Sequence, residues 1–376
     1  MLTKTIFTIL LMAAPVWCQP QVVATGLPGA QKLILTSRGN FLVSESAPVA
    51  NMGRVSFVTR TGARRSLIEG LPSGIEVTLA GASGPSAMAL RERTLYLSIG
   101  AGDSERSGPP PTSMLNPAGS SSPLFCSILE LRFNQDLDAL AGTFRLTMPQ
   151  QQAIADGAEM ELADGSGGTM KASVLTRFPL VEPAPGALYK FSNPWGLALT
   201  ADGKTLYVVD ASVNSVAKVD TATGKWRRMV RFPAVPNGTP VGPPMMDAVP
   251  TGIRIYGDQV LVGFLTGFPF VPGSARVLAV NPEPGTTEPF IFGLTSVTDV
   301  LWRELPTGAS EFYVIEFSAN QSANPAPPGR LLRFDRAGMQ VVAAPLITPV
   351  SMAYDAATKE LFVLELRGQI LRLQLP

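Results

Sequence analysis

Short runs in which apolar and polar residues alternate recur along the chain. Each is followed by a turn and then by a nearly continuous apolar stretch that ends in one framed position. The framed residues are Glu45, Ile99, Asp210, Phe264, Glu316 and Glu365, about 54, 111, 54, 52 and 49 residues apart. That period suits propeller blades and is too long for leucine-rich or ankyrin units. Alternating runs such as Gly29 to Leu35 and Asn193 to Leu199 lead into turns of the type Ser37-Arg38-Gly39-Asn40 and Ala201-Asp202-Gly203-Lys204, which predicts antiparallel hairpins. A third strand follows each apolar stretch, and a fourth follows a Gly turn such as Thr61-Gly62, Thr223-Gly224, Pro284-Gly285 or Ala337-Gly338. Four short strands per repeat is the pattern of a blade.

The sixth repeat stops after its third strand, Gly368 to Leu373, while Gln21 to Leu27 echoes the fourth strand of the preceding repeat, Gln340 to Leu346. The expected fold is therefore all-β: a six-bladed β-propeller whose ring is closed by the N-terminal strand pairing with the last blade, leaving no open sheet edge. The doubled second interval places insertions over residues 103–171 within the second blade, around one strand, Leu124 to Phe133. A helix is compatible with Pro149 to Ala155. We read the insertion as loops over one face, with a lid over the channel or a degenerate seventh blade as the alternatives.

Composition narrows the setting. The chain has 376 residues, 35 of them Gly and 34 Pro, with only 16% charged, which fits a single domain of short strands and tight turns. Its net charge of +1, with no block of like charge, excludes the electrostatic footprint of a nucleic-acid or anionic-membrane binder. Residues 1–18 read as a secretory signal peptide: Lys4, an apolar run from Ile6 to Ala14, then Pro15, too short to span a bilayer. Residues 19–376 are then a secreted or periplasmic domain, expected to be a monomer without a transmembrane segment. A lipid anchor on Cys18 is disfavoured by bulky Trp17 before it. Cys126 is the one thiol left in the domain, so no intrachain disulfide is available, and its strand-like surroundings predict a buried, inert thiol.

The chain has no histidine. That removes the Ser-His-Asp triad, imidazole bases and the usual catalytic zinc sphere. Oxygen ligands remain. Four framed positions are acidic, Glu45, Asp210, Glu316 and Glu365, and the blade geometry should bring them to one face of the channel together with Asn193, Thr298 and Asp299. Such a set suits a hard cation such as Ca2+ or a polar ligand. The competing reading is structural: each acid accepts loop amides, or pairs with Arg54, Arg276, Arg330 or Arg333 on the third strands. Phe264, Phe268 and Phe270 crowd one loop, either as an apolar wall for a ligand or as packing for the loop itself.

At this loop the chain resembles the ScyD/ScyE family of secreted propellers. The matching stretches are Val249-Pro250-Thr251-Gly252, Leu265 to Phe270, Pro272 to Val277, Ser192 to Gly196 and the Tyr-Val-x-Glu form of Tyr313 to Glu316. The resemblance implies a six-bladed propeller and little chemistry. Members often enter the second blade through a Gly-Pro-His-Asp segment; here it reads Gly84-Pro85-Ser86-Ala87, so a role resting on that histidine is not expected. More distantly, the chain is similar to regucalcin, gluconolactonase and NHL propellers, and that likeness implies Glu45, Asn193, Asp210 and Glu316 as calcium ligands. Asp299, Glu365, Phe264, Phe268 and Phe270 complete the candidate ligand-binding set. The expected function is non-catalytic binding of a small molecule or protein at the top face. The alternative is a calcium-dependent, lactonase-like hydrolase in which Asp210 or Glu316 activates water.

Overall fold

Each alternating run and the apolar stretch after it form an antiparallel pair, and six such pairs stand around one axis. The computed structural model describes residues 19–76, 81–107, 113–184 and 187–375; the expected leader lies outside them. Blade 1 is built from Ala30–Leu35, Phe41–Glu45, Gly53–Val58 and Arg64–Leu71. The same order repeats from Pro85–Arg91, Pro194–Leu199, Pro250–Tyr256, Val297–Glu304 and Pro349–Asp355, the first strands of blades 2 to 6. These first strands pack against one another in sequence, and the sixth packs against the first, so the ring is complete.

The second strands explain why the apolar stretches are nearly unbroken. A blade's second strand is covered on both faces by its neighbours, so Phe41, Leu42 and Val43 are all buried, as are Leu361 to Leu364. The first strands need apolar side chains mainly where they meet adjacent blades, which leaves room for charged residues along the axis.

Blade 6 takes its outer strand from the other end of the chain. Gln21–Ala24 runs antiparallel to Gln369–Gln374, with Gln21 opposite Arg372 and Val22 opposite Leu371. The Leu27 amide adds a bond to the Gly368 carbonyl at 3.2 Å. Gly368 has φ +88, and a side chain there would meet the Leu27 carbonyl oxygen at 2.3 Å, so the latch requires glycine.

The insertion stitches two blades together at their outer edges. Ser127–Phe133 and Thr169–Arg177 are the third and fourth strands of blade 2, Met160–Ala163 adds a fifth, and Phe144–Arg145 pairs in parallel with the outer strand of blade 1. Between them, the helix Met148–Ala155 opens on a Thr147–Gln150 capping box. Its buried Gln151 donates to Asn51 and the Gly70 carbonyl and accepts from Ser122. Among the described residues the insertion enlarges blades 1 and 2 and forms no blade of its own. No helix among them is long and apolar enough to cross a membrane.

Candidate functional site

In every blade the framed residue at the end of the second strand sits opposite the start of the first. The pairs are Ala30 with Glu45, Pro85 with Ile99, Pro194 with Asp210, Pro250 with Phe264, Val297 with Glu316 and Pro349 with Glu365. All six therefore lie toward one end of the channel, the top. What differs is the residue across on the third strand: Arg54 faces Glu45 and Arg330 faces Glu316, whereas Ser215 faces Asp210 and Gln369 faces Glu365.

This single difference divides the acids. Glu45, 1% exposed, is held by Arg54 at 2.8 Å and by the Ser56 hydroxyl. Glu316, fully buried, is held by Arg330 and by the Thr295 amide at 2.8 Å. Arg276 instead lies over the Phe264 ring at 5.0 Å. Asp210 and Glu365 have no such partner. Burial pushes the Asp210 carboxyl up to about 6, against the Asn193 and Val213 amides, which donate to Oδ1 at 2.9 and 3.2 Å. Burial also raises Glu365, whose Oε1 accepts the Ile347 amide.

Blade 3 goes further. Among the described residues Asn193 Oδ1 is buried without a hydrogen-bond partner, and Asp210 Oδ2 is buried with only the neighbouring Ser192 hydroxyl, which lowers its pKa, to serve as donor. The Asn193 amide group points its Nδ2 toward Glu76 at 3.5 Å. Gly100 makes this arrangement possible, because a side chain there would fall 2.6 Å from Asn193 Oδ1. The Cys126 thiol donates to the Ser192 carbonyl at 3.1 Å, and burial, together with Asp210, Glu76 and Glu105, pushes it well above its ordinary value. It is buried, as expected.

Of the four residues implied as calcium ligands, the structure brings Asn193 and Asp210 together, while Glu45 and Glu316 are each occupied by an arginine. No group of three or more His, Cys, Asp or Glu among the described residues is arranged to hold a metal. The four-residue calcium set therefore does not fit the side-chain pairing.

Asp299, expected in the ligand-binding set, is engaged inside the channel axis. It is fully buried on the first strand of blade 5, and its Oδ2 accepts Lys32 Nζ at 2.8 Å, Arg254 at 2.9 Å and the Met352 amide at 2.9 Å. Oδ1 accepts the Val300 amide at 3.0 Å. Burial alone would raise this carboxyl, but Arg254 and Lys32 hold it below the ordinary range. It is the counter-ion of both cations. Burial and the adjacent Arg254 in turn pull the Lys32 ammonium down to about 8, despite Asp299. In sequence the three residues lie far apart, and only ring closure brings Lys32, Arg254 and Asp299 together.

Above this cluster the channel narrows to about 10 Å3 between Gln31, Ser86, Trp195, Thr251, Thr298 and Val350, room for a single water. Ser86 donates to the Pro194 carbonyl at 2.9 Å. The aromatic loop separates as well. Phe264 is core, edge-on to Phe232 at 4.7 Å; Phe270 is half-buried, and Phe268 is 53% exposed beside Gly242.

Ring, latch and top-face acids define a six-bladed β-propeller. Compared by sequence, the chain matches no protein-family profile and no curated protein. Among solved structures it is similar to streptogramin B lyase, at TM-score 0.50 and 12% identity over 96% of this chain and 100% of that one. The PQQ-bound aldose sugar dehydrogenase of Streptomyces coelicolor gives 0.50 and 14% over 96% and 99%. An auxiliary nutrient binding protein of Bacteroides thetaiotaomicron VPI-5482 gives 0.50 and 8% over 93% and 69%. These likenesses establish the fold, which carries enzymes and binding proteins alike.

Proposed function

We propose that this chain is a secreted binding module of the ScyD/ScyE type, without bond-making chemistry, whose top face receives a cationic or hydrogen-bond-donating partner over blade 3. One observation carries the reading: among the described residues Asn193 Oδ1 is a buried acceptor with no donor, beside the Asp210 carboxyl, which has the Ser192 hydroxyl and loop amides but lacks the arginine found in blades 1 and 5. Buried acceptors left unsatisfied each cost about 1–3 kcal/mol, so a partner that supplies donors is stabilised there.

The test is thermal melting of residues 19–376 with calcium chloride, arginine amide and glucitol, on the wild type and on Ser215→Arg. A ligand bound at a hundred times its Kd adds about 2.7 kcal/mol of stability. The expected result is a rise in Tm with at least one of the three that is lost in Ser215→Arg. No rise with any of them, or an equal rise in both proteins, defeats the proposal.

The titration of Asp210 near neutrality favours a second reading, a lactonase-like hydrolase in which its carboxylate takes the proton from water. That reading requires lactone hydrolysis that rises with an apparent pKa near 6 and vanishes in Asp210→Asn.

A further inference from the structure

Below the Lys32, Arg254 and Asp299 cluster, the channel widens into a cavity of about 330 Å3 at the end opposite the framed acids. It is lined by the later halves of the first strands of all six blades, with Leu35, Met88, Leu199, Ile255, Leu301 and Tyr354 among its walls. Its volume lies in the range of about 300–1,000 Å3 typical of small-molecule sites. The charged residues that line it are both cations, Lys32 and Arg254. The acid behind them is already saturated: Asp299 Oδ2 takes both cations and the Met352 amide. Two positive charges therefore share one negative charge at the floor of an apolar cavity, an arrangement that is costly unless a second anion arrives.

Arg254 retains the means to bind one. Its guanidinium donates to the Ile253 carbonyl at 2.9 Å, to Asp299 at 2.9 Å and to the Met352 carbonyl at 3.2 Å. A guanidinium carries about five N–H groups, so its Nε–H and one Nη1–H have no hydrogen bond among the described residues. Its side chain is 23% exposed, whereas Asp299 is fully buried. We infer that this cavity binds a small amphipathic monoanion, with a carboxylate-type head on Arg254 and Lys32 and an aliphatic body against the apolar walls. The charge selects the head and the walls select the tail.

The site is separate from the top face, so it stands or falls independently of the reading given for Asp210. Isothermal titration of residues 19–376 with octanoate, octan-1-ol and octylamine tests it, the three probes sharing a tail and differing in charge. The expected result is one octanoate per chain, bound at least tenfold more tightly than octan-1-ol or octylamine. In Arg254→Met, which leaves a neutral Lys32–Asp299 pair, octanoate is expected to bind at least tenfold more weakly. Equal affinity for octan-1-ol, no octanoate binding at millimolar concentration, or unchanged affinity in a folded Arg254→Met protein overturns the inference. The wild-type series decides the matter alone if that variant does not fold.

Discussion

Blades 1 and 5 and blades 3 and 6 end their second strands in the same way, with a buried acid, yet treat that acid differently. In blades 1 and 5 an arginine stands directly across, at Arg54 and Arg330; in blades 3 and 6 the same place holds Ser215 and Gln369. The first pair of acids is neutralised inside its own sheet. The second pair is left to loop amides, and burial raises both carboxyls. One cross-strand position thus separates an acid neutralised by an arginine from one held without it.

The largest effect is expected from breaking a neutralised pair. Arg330→Ala strands Glu316 as an unpaired charge in a fully buried place, and such losses cost about 3–5 kcal/mol. Urea unfolding should place it far below wild type, and a loss under about 1 kcal/mol would erase the distinction between blades 5 and 3. Next comes the pH dependence of blade 3. Asp210 titrates near 6 in the fold, above the ordinary carboxylate value of 3.8. The folded state therefore holds the proton more tightly than the unfolded one, and stability falls as pH rises from about 4 to about 6. Two pH units correspond to about 3 kcal/mol. Asp210→Asn should flatten that part of the curve of unfolding free energy against pH; an unchanged slope would remove Asp210 as its source.

Smaller effects follow from converting one kind of blade into the other. Ser215→Arg supplies the guanidinium that blades 1 and 5 possess and should return the Asp210 midpoint toward the ordinary range, read by carboxyl NMR titration. The accompanying gain in stability above pH 6 is about 1 kcal/mol, and a midpoint that stays near 6 would show that the register alone does not bring the charges together. Gln369→Arg, at the half-exposed equivalent in blade 6, should change stability by less than about 1 kcal/mol in the same unfolding assay.

The blades were legible in the sequence because a strand covered on both faces must be apolar throughout, and Phe41 to Val43 or Leu206 to Val208 show that without any knowledge of neighbours. The latch was legible because Gln21 to Leu27 repeats the pattern of a fourth strand. The division among the acids was half legible: Arg54 and Arg330 were visible as third-strand residues, but which acid each faces depends on register, and the absence of an arginine across from Asp210 gains meaning only beside its equivalents. The axial cluster was not legible. Lys32, Arg254 and Asp299 lie on three different first strands, and nothing in any one strand points to the other two. Phe264 and Phe268 show the same limit at shorter range: four residues apart, one points into the core and the other into solvent.

The shared sixth blade bears on how the ring comes into being. Its outer strand and the strand it joins are separated in sequence by about 350 residues, as the bond from Arg372 to Gln21 records. Five sheets can assemble from contiguous chain as it is synthesised, but the sixth waits for a segment made hundreds of residues earlier, the kind of distant pairing that slows folding. A circular permutant that moves Gln21 to Leu27 behind Leu375 would make every sheet local, and should reach the native state sooner from the same set of contacts.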